Sequence, residues 1–330
     1  MKLKNKNIRR IAVFTSGGDA PGMNAAIRSV VRTASYHDLH VFGVYRGYEG
    51  MIDGHIERLD KGDVGNIIQR GGTVLKTARS DRFRTPEGRK SAYDSLVAND
   101  IEGLVAIGGN GTFTGAKIFF EEYGIPIVGI PGTIDNDLYG TDYSIGFDTA
   151  VNTAIEAVDR IRDTADSHNR LFFVEVMGRD TGFIALNTGI GSGAGAILIP
   201  EAMTSVETLI KHLEKTAKRQ KLFSLIIVAE GNGSGNAQKL AGEIKDRFPD
   251  YDPKVTIIGH MQRGGAPSAL DRLIASRMGF KAVEALLEGH TNVMIGIQNN
   301  KMAMVSFDDA INKHKEIDLD LLHMAEILSL

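Results

Sequence analysis

Two aspartates lie two positions apart in residues 129–150, GIPGTIDNDLYGTDYSIGFDTA, directly after an apolar run. If this segment is extended, Asp135 and Asp137 share one face, because side chains alternate along an extended backbone. Two carboxylates about 4 Å apart repel each other by roughly 1 to 4 kcal/mol, depending on the effective dielectric. A Mg²⁺ ion or a hydroxyl proton to be abstracted would offset that repulsion. The pattern therefore predicts metal or acid–base chemistry here, and a solvated acidic turn is the alternative.

Two glycine-rich turns each join an apolar run to a helical pattern, in residues 14–32 and 107–113. Free backbone N–H groups at a helix N-terminus favour an anion such as phosphate. In the second turn, three glycines in four positions cost backbone entropy that a connection alone does not require. The first turn matches neither the lysine-bearing P-loop nor a clean GxGxxG motif. For the first turn a tight connection is the favoured interpretation and phosphate binding is the alternative, whereas the second turn predicts close approach of a ligand.

Basic and polar side chains follow two other apolar runs. Arg179 comes after VEVMG, and His260, Gln262 and Arg263 lie in IIGHMQRGG. An arginine fork can hold phosphate through two parallel hydrogen bonds. These residues predict a second anion site.

The apolar pattern indicates the elements that must position these residues. Eight short runs read as strands, and most lack alternation, as strands covered on both faces do. Helical spacing covers 151–161, and residues 316–330 are typical of a C-terminal amphipathic helix. Strand and helix alternate, which predicts an α/β protein with parallel sheets, divided near residue 146. The strand runs are residues 11–14, 41–45, 104–107, 127–130, 171–176, 196–199, 225–228 and 255–258.

Composition excludes several classes of function. The 330 residues carry 38 basic and 41 acidic side chains, a net charge of −3, so neither nucleic-acid nor membrane-surface binding is suggested. Cysteine is absent, which rules out disulfides, thiolate metal sites and a cysteine nucleophile. No apolar run is long enough to span a bilayer, and the basic start does not read as a signal peptide. We expect a soluble, cytoplasmic protein.

Four segments together resemble the bacterial ATP-dependent phosphofructokinases: TSGGDAPGMNAAIR, PGTIDNDLYGTDYSIGFDTA, RLFFVEVMGR and GHMQRGG. The likeness extends in order from residue 8 to about residue 299. It implies the phosphofructokinase fold, with two Rossmann-like three-layer α/β/α domains and mostly parallel sheets, assembled as a homotetramer. It also implies ATP- and Mg²⁺-dependent phosphorylation of fructose 6-phosphate to fructose 1,6-bisphosphate. Residues 1–146 plus about 262–311 would bind ATP, and 147–261 plus about 312–330 the sugar phosphate.

The resemblance also implies residue roles. Asp135 would be the general base toward the sugar 1-hydroxyl, Asp137 would support metal and base, and Thr133 would hold substrate or the transferred phosphate. Arg79 and Arg179 would neutralise phosphate charge. The implied ATP site is Gly18, Arg79, Ser80, Gly109, Asn110, Gly111 and Thr112, with Asn110 and Asp137 at the metal. The implied sugar-phosphate site is Thr133, Ile134, Asp135, Met177, Gly178, Arg179, Glu230, His260, Met261, Gln262 and Arg263, with Arg170 and Lys254 from a neighbouring subunit. An effector site for ADP or phosphoenolpyruvate would use Arg28, Arg32, Arg162, Arg219 and Lys221.

Several positions depart from the family pattern. Asn110 replaces an aspartate associated with Mg²⁺, which predicts weaker Mg²⁺ affinity; alternatively, Asn110 caps the following helix. Lys254 replaces an arginine and loses the two-pronged geometry, so sugar-phosphate affinity is expected to be lower. Lys61 also replaces an arginine, and a glutamate expected near residues 194–195 is absent, which predicts altered nucleotide activation.

The phosphoryl donor can be argued sterically. Within the family, pyrophosphate users resemble a pattern with aspartate and lysine where this chain has Gly111 and Gly132. Two glycines leave room for the α-phosphate of a nucleotide, so ATP is favoured. The alternatives are a pyrophosphate-dependent enzyme or a weakened paralogue that senses sugar phosphate or nucleotide. A dinucleotide-binding dehydrogenase is disfavoured, because the end of the second apolar run, VFGVYRGY, contains no acidic residue that could bind a ribose.

Overall fold

The computed structural model describes residues 8–166, 171–202, 207, 209–210, 224–233, 235–247 and 252–329. These residues form two compact units. Unit 1 contains residues 8–134, 138–149 and 263–315, and unit 2 contains the described residues of 135–137, 150–262 and 316–329. Each unit has a sheet of mostly parallel strands with helices, as the α/β prediction requires.

The elements alternate along most of the chain. The strands are β1 (Arg10–Thr15), β2 (His40–Val44), β3 (Ile56–Leu59), β4 (Gly103–Gly108), β5 (Ile127–Pro131), β6 (Leu171–Val176), β7 (Ala196–Leu198), β8 (Ser224–Ala229), β9 (Lys254–Ile257), β10 (Val293–Gln298) and β11 (Lys301–Ser306). The described helices are α1 (Met23–Tyr36), α2 (Gly47–Ile52), α3 (Pro86–Ala98), α4 (Asn110–Tyr123), α5 (Phe147–Asp166), α6 (Phe183–Ser192), α7 (Ala237–Arg247), α8 (Ala269–Leu287), α9 (Phe307–Asn312) and α10 (Leu319–Leu328).

Unit 1 contains a seven-stranded sheet in the order β11-β10-β5-β4-β1-β2-β3. Its five inner strands are parallel, and the two edge strands β3 and β11 pair antiparallel. All six residues of β4 and all five of β5 are buried, which explains their apolar runs without alternation.

Aromatic rings fill much of the core of unit 1. Tyr48 stacks on Phe83 with ring centroids 3.9 Å apart, and Phe113 stacks on Phe307 at 5.1 Å. The Tyr48 hydroxyl donates to the Thr112 carbonyl at 2.7 Å, so this buried ring also satisfies its polar end. The core therefore reaches directly to the first turn of α4.

Unit 2 has a four-stranded parallel sheet in the order β7-β8-β6-β9. Phe173 on β6 and Ile226 on β8 are fully buried and pack with Leu240 of α7. The C-terminal helix α10 contacts α6 and β7, as the amphipathic pattern of 316–330 predicts. No helix in the described part of the chain is long and apolar enough to cross a membrane.

Each of the eight apolar runs overlaps a strand to within one residue, but the strand prediction was incomplete. It missed β3, β10 and β11. Strand β3 is a short edge strand with exposed charged residues, so its apolar signal is weak. The β10–β11 hairpin turns through Asn299 and Asn300, both with positive φ, which suits a two-residue I′ turn. That asparagine pair was a local signal for the hairpin.

Helices α1 and α8 pack closely because one position lacks a side chain. A Cβ on Gly279 would lie 2.7 Å from the Ser29 Cβ and 2.8 Å from the Ala26 carbonyl oxygen. The Ser29 hydroxyl donates to the Ser276 carbonyl at 2.6 Å, which requires the same close approach. The close contact at Gly279 and the hydrogen bond of Ser29 therefore hold α8 against α1.

We expect Gly279→Ala to lower the free energy of unfolding by about 1 to 3 kcal/mol, since the methyl group would overpack this contact. Gly242→Ala is the control: this exposed α7 glycine has no heavy atom within 4 Å of a Cβ. Alanine should stabilise that helix by up to about 1 kcal/mol. Urea unfolding followed by circular dichroism measures both variants, and equal effects would contradict the packing argument.

Candidate active site

The carboxyl ends of β1 and β4 lie side by side in unit 1, because the two strands pair in parallel from Ile11↔Gly103 to Thr15↔Ile107. From β1 the chain crosses to β2, and from β4 it crosses to β5 on the other side. The boundary between β1 and β4 is thus a topological switch point, where open α/β sheets bind ligands. Both glycine turns follow these two strands.

The first glycine turn is built from glycines in conformations that other residues rarely adopt. Gly17 has φ +88°, and Gly22, with φ +106°, stands at the N-cap of α1. Arg263 lies over this turn: its Nη1 is 2.5 Å from the position of a Cβ on Gly18 and donates to the Asp19 carbonyl at 3.2 Å. A side chain at position 18 would collide with this guanidinium.

The second glycine turn opens α4. Gly109 is its N-cap and makes no side-chain cap, and Gly111 has open space where a Cβ would lie. Thr112 is buried, and its hydroxyl donates to the Ser16 carbonyl at 3.1 Å, which ties the two turns together. The first turn of α4 therefore presents backbone N–H groups beside an unobstructed approach.

Asn110 does not cap the helix, so that alternative is wrong. It is the first residue of α4, and its Oδ1 accepts from the Thr114 hydroxyl at 3.3 Å. The side chain is exposed at the mouth of the turn. The exposed amide oxygen of Asn110 is therefore not used to cap the helix.

The loop that carries Arg79 and Ser80 is anchored on β1 and α1. The Thr15 hydroxyl donates to the Lys76 carbonyl at 2.8 Å, and the Thr77 hydroxyl donates to the Gly17 carbonyl at 2.7 Å. Buried Asn24 donates to two carbonyls in residues 70–71 and accepts from the amide of Val74. Arg79 is exposed and makes no ion pair with the described residues.

Ser80 has a structural partner. Its hydroxyl donates to Glu49 Oε2 at 2.5 Å and accepts from the amide of Phe83 at 3.1 Å. This hydrogen bond, with Arg82 beside it, lowers the pKa of Glu49. Ser80 therefore helps to shape the loop that presents Arg79.

The loop after β5 is not extended, so the reason given for pairing Asp135 with Asp137 was wrong. Residues 134–135 form a turn, and Asn136 adopts the left-handed conformation with φ +53°. Asp135 and Asn136 are buried, with exposed fractions of 7% and 3%, which contradicts the solvated acidic turn. The Asp135 carbonyl accepts from the Thr181 hydroxyl at 3.4 Å, within unit 2.

Gly132 does not face open space. A Cβ there would lie 3.1 Å from both Ile107 Cγ2 and Met23 Cε. Its amide donates to the Gly108 carbonyl at 2.9 Å. Close packing thus requires a small residue at 132, and only Gly111 fits the argument for room around a nucleotide. Thr133 follows, and its carbonyl accepts from the Ser144 hydroxyl at 2.6 Å; Ile134 is fully buried.

In unit 2, three turns meet at the carboxyl end of β6. Glu230 Oε1 accepts from the amide of Arg179 at 2.7 Å and of Gly178 at 3.4 Å. Gln262 Oε1 accepts from the amide of Met177 at 2.8 Å. Arg179 has φ +55°, and its side chain is 70% exposed. Glu230 and Gln262 thus hold the backbone from which Arg179 projects.

His260 and Met261 are exposed on the short 3₁₀ helix of Gly259–Arg263, at the end of the chain that follows β9. Both lie on the same carboxyl side of the unit 2 sheet as Met177, since β9 and β6 are parallel. The sequence thus identified several residues that the sheet brings to one edge.

Lys254 lies at the other edge of this sheet. It pairs with Phe172 near the amino end of β6, about 13 Å along the strand from Val176 at ~3.3 Å per residue. Its Nζ forms a half-exposed ion pair with Asp252 at 2.7 Å. Lys254 therefore cannot join Met177 and Gly178 in the unit 2 of its own chain.

The remaining expected residues lie on different elements. Arg28 and Arg32 lie on α1, and Arg162 on α5 donates to the Ser192 carbonyl. Arg170, Arg219 and Lys221 lie outside the described residues.

Sequence reasoning missed Asp271, which is fully buried on the first turn of α8. Its carboxylate accepts from the amides of Gly146 and Thr149 and from the Thr149 hydroxyl. Burial raises the pKa of Asp271 to about 6, although these hydrogen bonds lower it. The pattern Ser-x-x-Asp at residues 268–271 signals a helix start, but not this second helix as partner.

Comparison with known proteins gives the family. The family described as Phosphofructokinase matches residues 10–286. The chain is 56% identical to the ATP-dependent 6-phosphofructokinase of Cytophaga hutchinsonii, over 98% of both chains. It is 54% identical to ATP-dependent 6-phosphofructokinase 1 of Thermus thermophilus, over 98% of this chain and 100% of that protein. The solved phosphofructokinase of Saccharomyces cerevisiae matches with TM-score 0.86 and 39% identity, over 92% of this chain and 45% of that longer one.

The folds and glycine turns define an α/β phosphate-binding enzyme. The chain belongs to the phosphofructokinase family, which confirms the resemblance and the fold class that it implied.

The buried carboxylate of Asp271 should make stability depend on pH. Its folded pKa lies above the ordinary value of 3.8, so the folded state binds more protons between about pH 4 and 6. Wild type should therefore lose up to about 3 kcal/mol relative to Asp271→Asn as pH rises through that window, with no further change above pH 7. Urea unfolding of both proteins from pH 4 to 8 measures this, and a difference that is flat or grows with pH would contradict it.

Proposed function

We propose that this chain transfers the γ-phosphoryl group of ATP to the 1-hydroxyl of fructose 6-phosphate. The observation that carries the proposal is the pair of glycine turns at the boundary of β1 and β4, tied by the hydrogen bond from Thr112 to Ser16. Unit 1 would bind the nucleotide and unit 2 the sugar phosphate. The relatives named ATP-dependent 6-phosphofructokinase, at 50% identity and above over almost the whole chain, support the donor. They also disfavour a weakened paralogue.

Phosphoryl transfer depends on positioning and on stabilising charge, and the chain offers a group for each role. Asp135 would accept the proton of the attacking hydroxyl. Arg79, which has no ion-pair partner among the described side chains, would neutralise charge on the moving phosphoryl group. The amides of the first turn of α4 would hold the donor phosphates.

Arg179 and Arg263 would bind the anionic acceptor. Glu230 supports Arg179 through two backbone amides, so its role would be to shape this turn as much as to touch the sugar. Thr133, Ile134, Met177, Gly178, His260, Met261 and Gln262 would complete the acceptor site. The cytoplasm would supply both substrates.

The donor set fits Mg²⁺ held mainly by nucleotide phosphates and water. Asn110 and Asp137 offer oxygen ligands, the kind that Mg²⁺ prefers. Among the described residues no group of three or more His, Cys, Asp or Glu could hold a metal by itself. When bound, the ion would supply neutralising charge beside the phosphates.

A shared site between subunits would explain Lys254. Because it lies at the amino end of the unit 2 sheet, it would serve the sugar-phosphate site of a neighbouring copy, together with Arg170. A homotetramer of this kind would also contain the effector site of Arg28, Arg32, Arg162, Arg219 and Lys221. Arg162 already binds a carbonyl at the end of α6, so ADP or phosphoenolpyruvate would have to compete for it.

The test is turnover in a coupled assay with fructose 6-phosphate, Mg²⁺ and either ATP or pyrophosphate. Wild type should be active with ATP, and Asp135→Ser should lower kcat by roughly 10² to 10⁴ while ATP still binds, because only the base is removed. Asp142→Asn is the control on the same loop: it keeps an oxygen for the Asn299 amide and should keep wild-type kcat. The proposal would be refuted if the wild type were active only with pyrophosphate or were inactive with both donors. It would also be refuted if Asp135→Ser kept wild-type kcat.

Restoring a carboxylate at position 110 should tighten apparent Mg²⁺ binding by several-fold, since Asn110 is exposed at the turn where the metal would lie. The measurement is the Mg²⁺ dependence of initial rate in Asn110→Asp. Asn66→Asp adds the same charge at an exposed position outside both glycine turns and serves as the control. If apparent Mg²⁺ binding in Asn110→Asp were unchanged or weaker than in the wild type, a metal role for position 110 would be contradicted.

A further inference from the structure

The loop after β5 closes on itself. The amide of Ile145 donates to the Pro131 carbonyl at 2.9 Å, and the Ser144 hydroxyl donates to the Thr133 carbonyl at 2.6 Å. Residues 132 and 145 also form an isolated bridge. The segment that carries Asp135 therefore leaves and rejoins the sheet at one point, and the exit of the loop controls its register.

One buried side chain holds that exit. Asp271 Oδ1 accepts from the amide of Gly146 at 2.8 Å. Asp271 Oδ2 accepts from the amide of Thr149 at 2.8 Å and from its hydroxyl at 2.5 Å. Thr149 Oγ1 in turn accepts from the amide of Ser268 at 2.9 Å. Four hydrogen bonds thus join the start of α5 to the start of α8.

This arrangement exchanges caps between two helices. Ser268 is the N-cap of α8 and accepts from the amide of Asp271 at 3.1 Å. In an ordinary capping box, the acidic residue would return to the N-cap amide. Here Thr149 takes that amide, and the Asp271 carboxylate is left for the N-terminus of α5. One negative charge therefore faces two helix N-termini, where it is favourable.

The first glycine turn packs against the same point. A Cβ on Gly22 would lie 2.6 Å from Ile145 Cγ2 and 3.5 Å from the Asp271 Cβ. Gly146, with φ +100°, approaches Ala20 so closely that its own Cβ would lie 2.7 Å from that methyl group. The carboxylate thus lies where the loop exit meets the first glycine turn.

We propose that Asp271 is a positioning residue for phosphoryl transfer, holding the loop that carries Asp135 in register with the first glycine turn. This inference rests on the proposed function. Its failure can be distinguished, because wild-type turnover with ATP tests the function independently of any change at position 271.

The primary test is Asp271→Asn. The amide keeps the volume but replaces one acceptor oxygen with a donor that faces backbone N–H groups. We expect kcat to fall about 10- to 100-fold, since a small misplacement of a reacting group is costly. ATP affinity should stay within about three-fold, at one ATP per chain by isothermal calorimetry, because the glycine turns keep their own anchors. A merely destabilised protein would instead lose binding stoichiometry.

Thr149 provides a second pair of variants in case Asp271→Asn does not fold. Thr149→Val removes the hydroxyl with little change of shape and should also lower kcat, whereas Thr149→Ser keeps the hydroxyl and should restore it to within about two-fold. Ser29→Ala is the control, since it removes a partly buried hydrogen bond to α8 away from the loop. It should lower thermal stability and leave kcat unchanged.

A double-mutant cycle separates positioning from stability. In an Asp135→Ser background, Asp271→Asn should cost little further kcat, because no base remains to be positioned. The inference would be overturned if Asp271→Asn and Thr149→Val kept wild-type kcat. It would also be overturned if Ser29→Ala lost as much kcat as they do, or if the loss of kcat in the double variant were additive.

Discussion

Parallel pairing of β1 with β4 is the constraint on which the arrangement of the two glycine turns in unit 1 depends. It places two strand ends next to each other and sends the following chain in opposite directions, so that two turns and two helix N-termini meet at one edge. The proposed phosphate site requires backbone without side chains there, yet such backbone is flexible. The structure offsets this flexibility from outside the turns: Thr112 binds the Ser16 carbonyl, Thr77 binds the Gly17 carbonyl, and Arg263 covers Gly18.

The same division of labour recurs in unit 2. Arg179 projects from a backbone with positive φ, and the neighbouring strand ends supply the side chains that hold this backbone. Glu230 accepts from its amide, and Gln262 accepts from the amide of Met177. In both units, the residues that we propose to face a ligand are therefore supported by polar side chains that satisfy buried or strained main chain. Such supports preorganise charge before any substrate arrives.

A buried charge in unit 1 also supports the main chain: the Asp271 carboxylate accepts from the amides of Gly146 and Thr149. Asp271 is desolvated, which raises its pKa, and the hydrogen bonds from three donors offset only part of that effect. An apolar residue of similar size would avoid the desolvation cost and leave the Gly146 and Thr149 amides without an acceptor. The buried carboxylate is therefore costly, but its hydrogen bonds fix the geometry of the chain where α5 and α8 begin.

The sequence by itself determined the family, the parallel α/β class and the glycine turns that follow the strands. It could do so because apolar runs and clustered glycines are local signals in the sequence. It placed Gly18, Gly109, Gly111 and Thr133 on the correct strand ends, and Met177, Gly178 and Gln262 on the matching edge of the second sheet. Only the tertiary structure decided that Asp135 lies in a buried turn, that close packing requires a small residue at Gly132, and that Ser80 binds Glu49. It also showed that Lys254 lies near the amino end of β6, as its assignment to a neighbouring subunit requires. Each of these depends on which distant residue arrives opposite. Asp271 shows this most clearly: its helix cap was readable as Ser-x-x-Asp, but its partner is a helix that starts more than a hundred residues earlier.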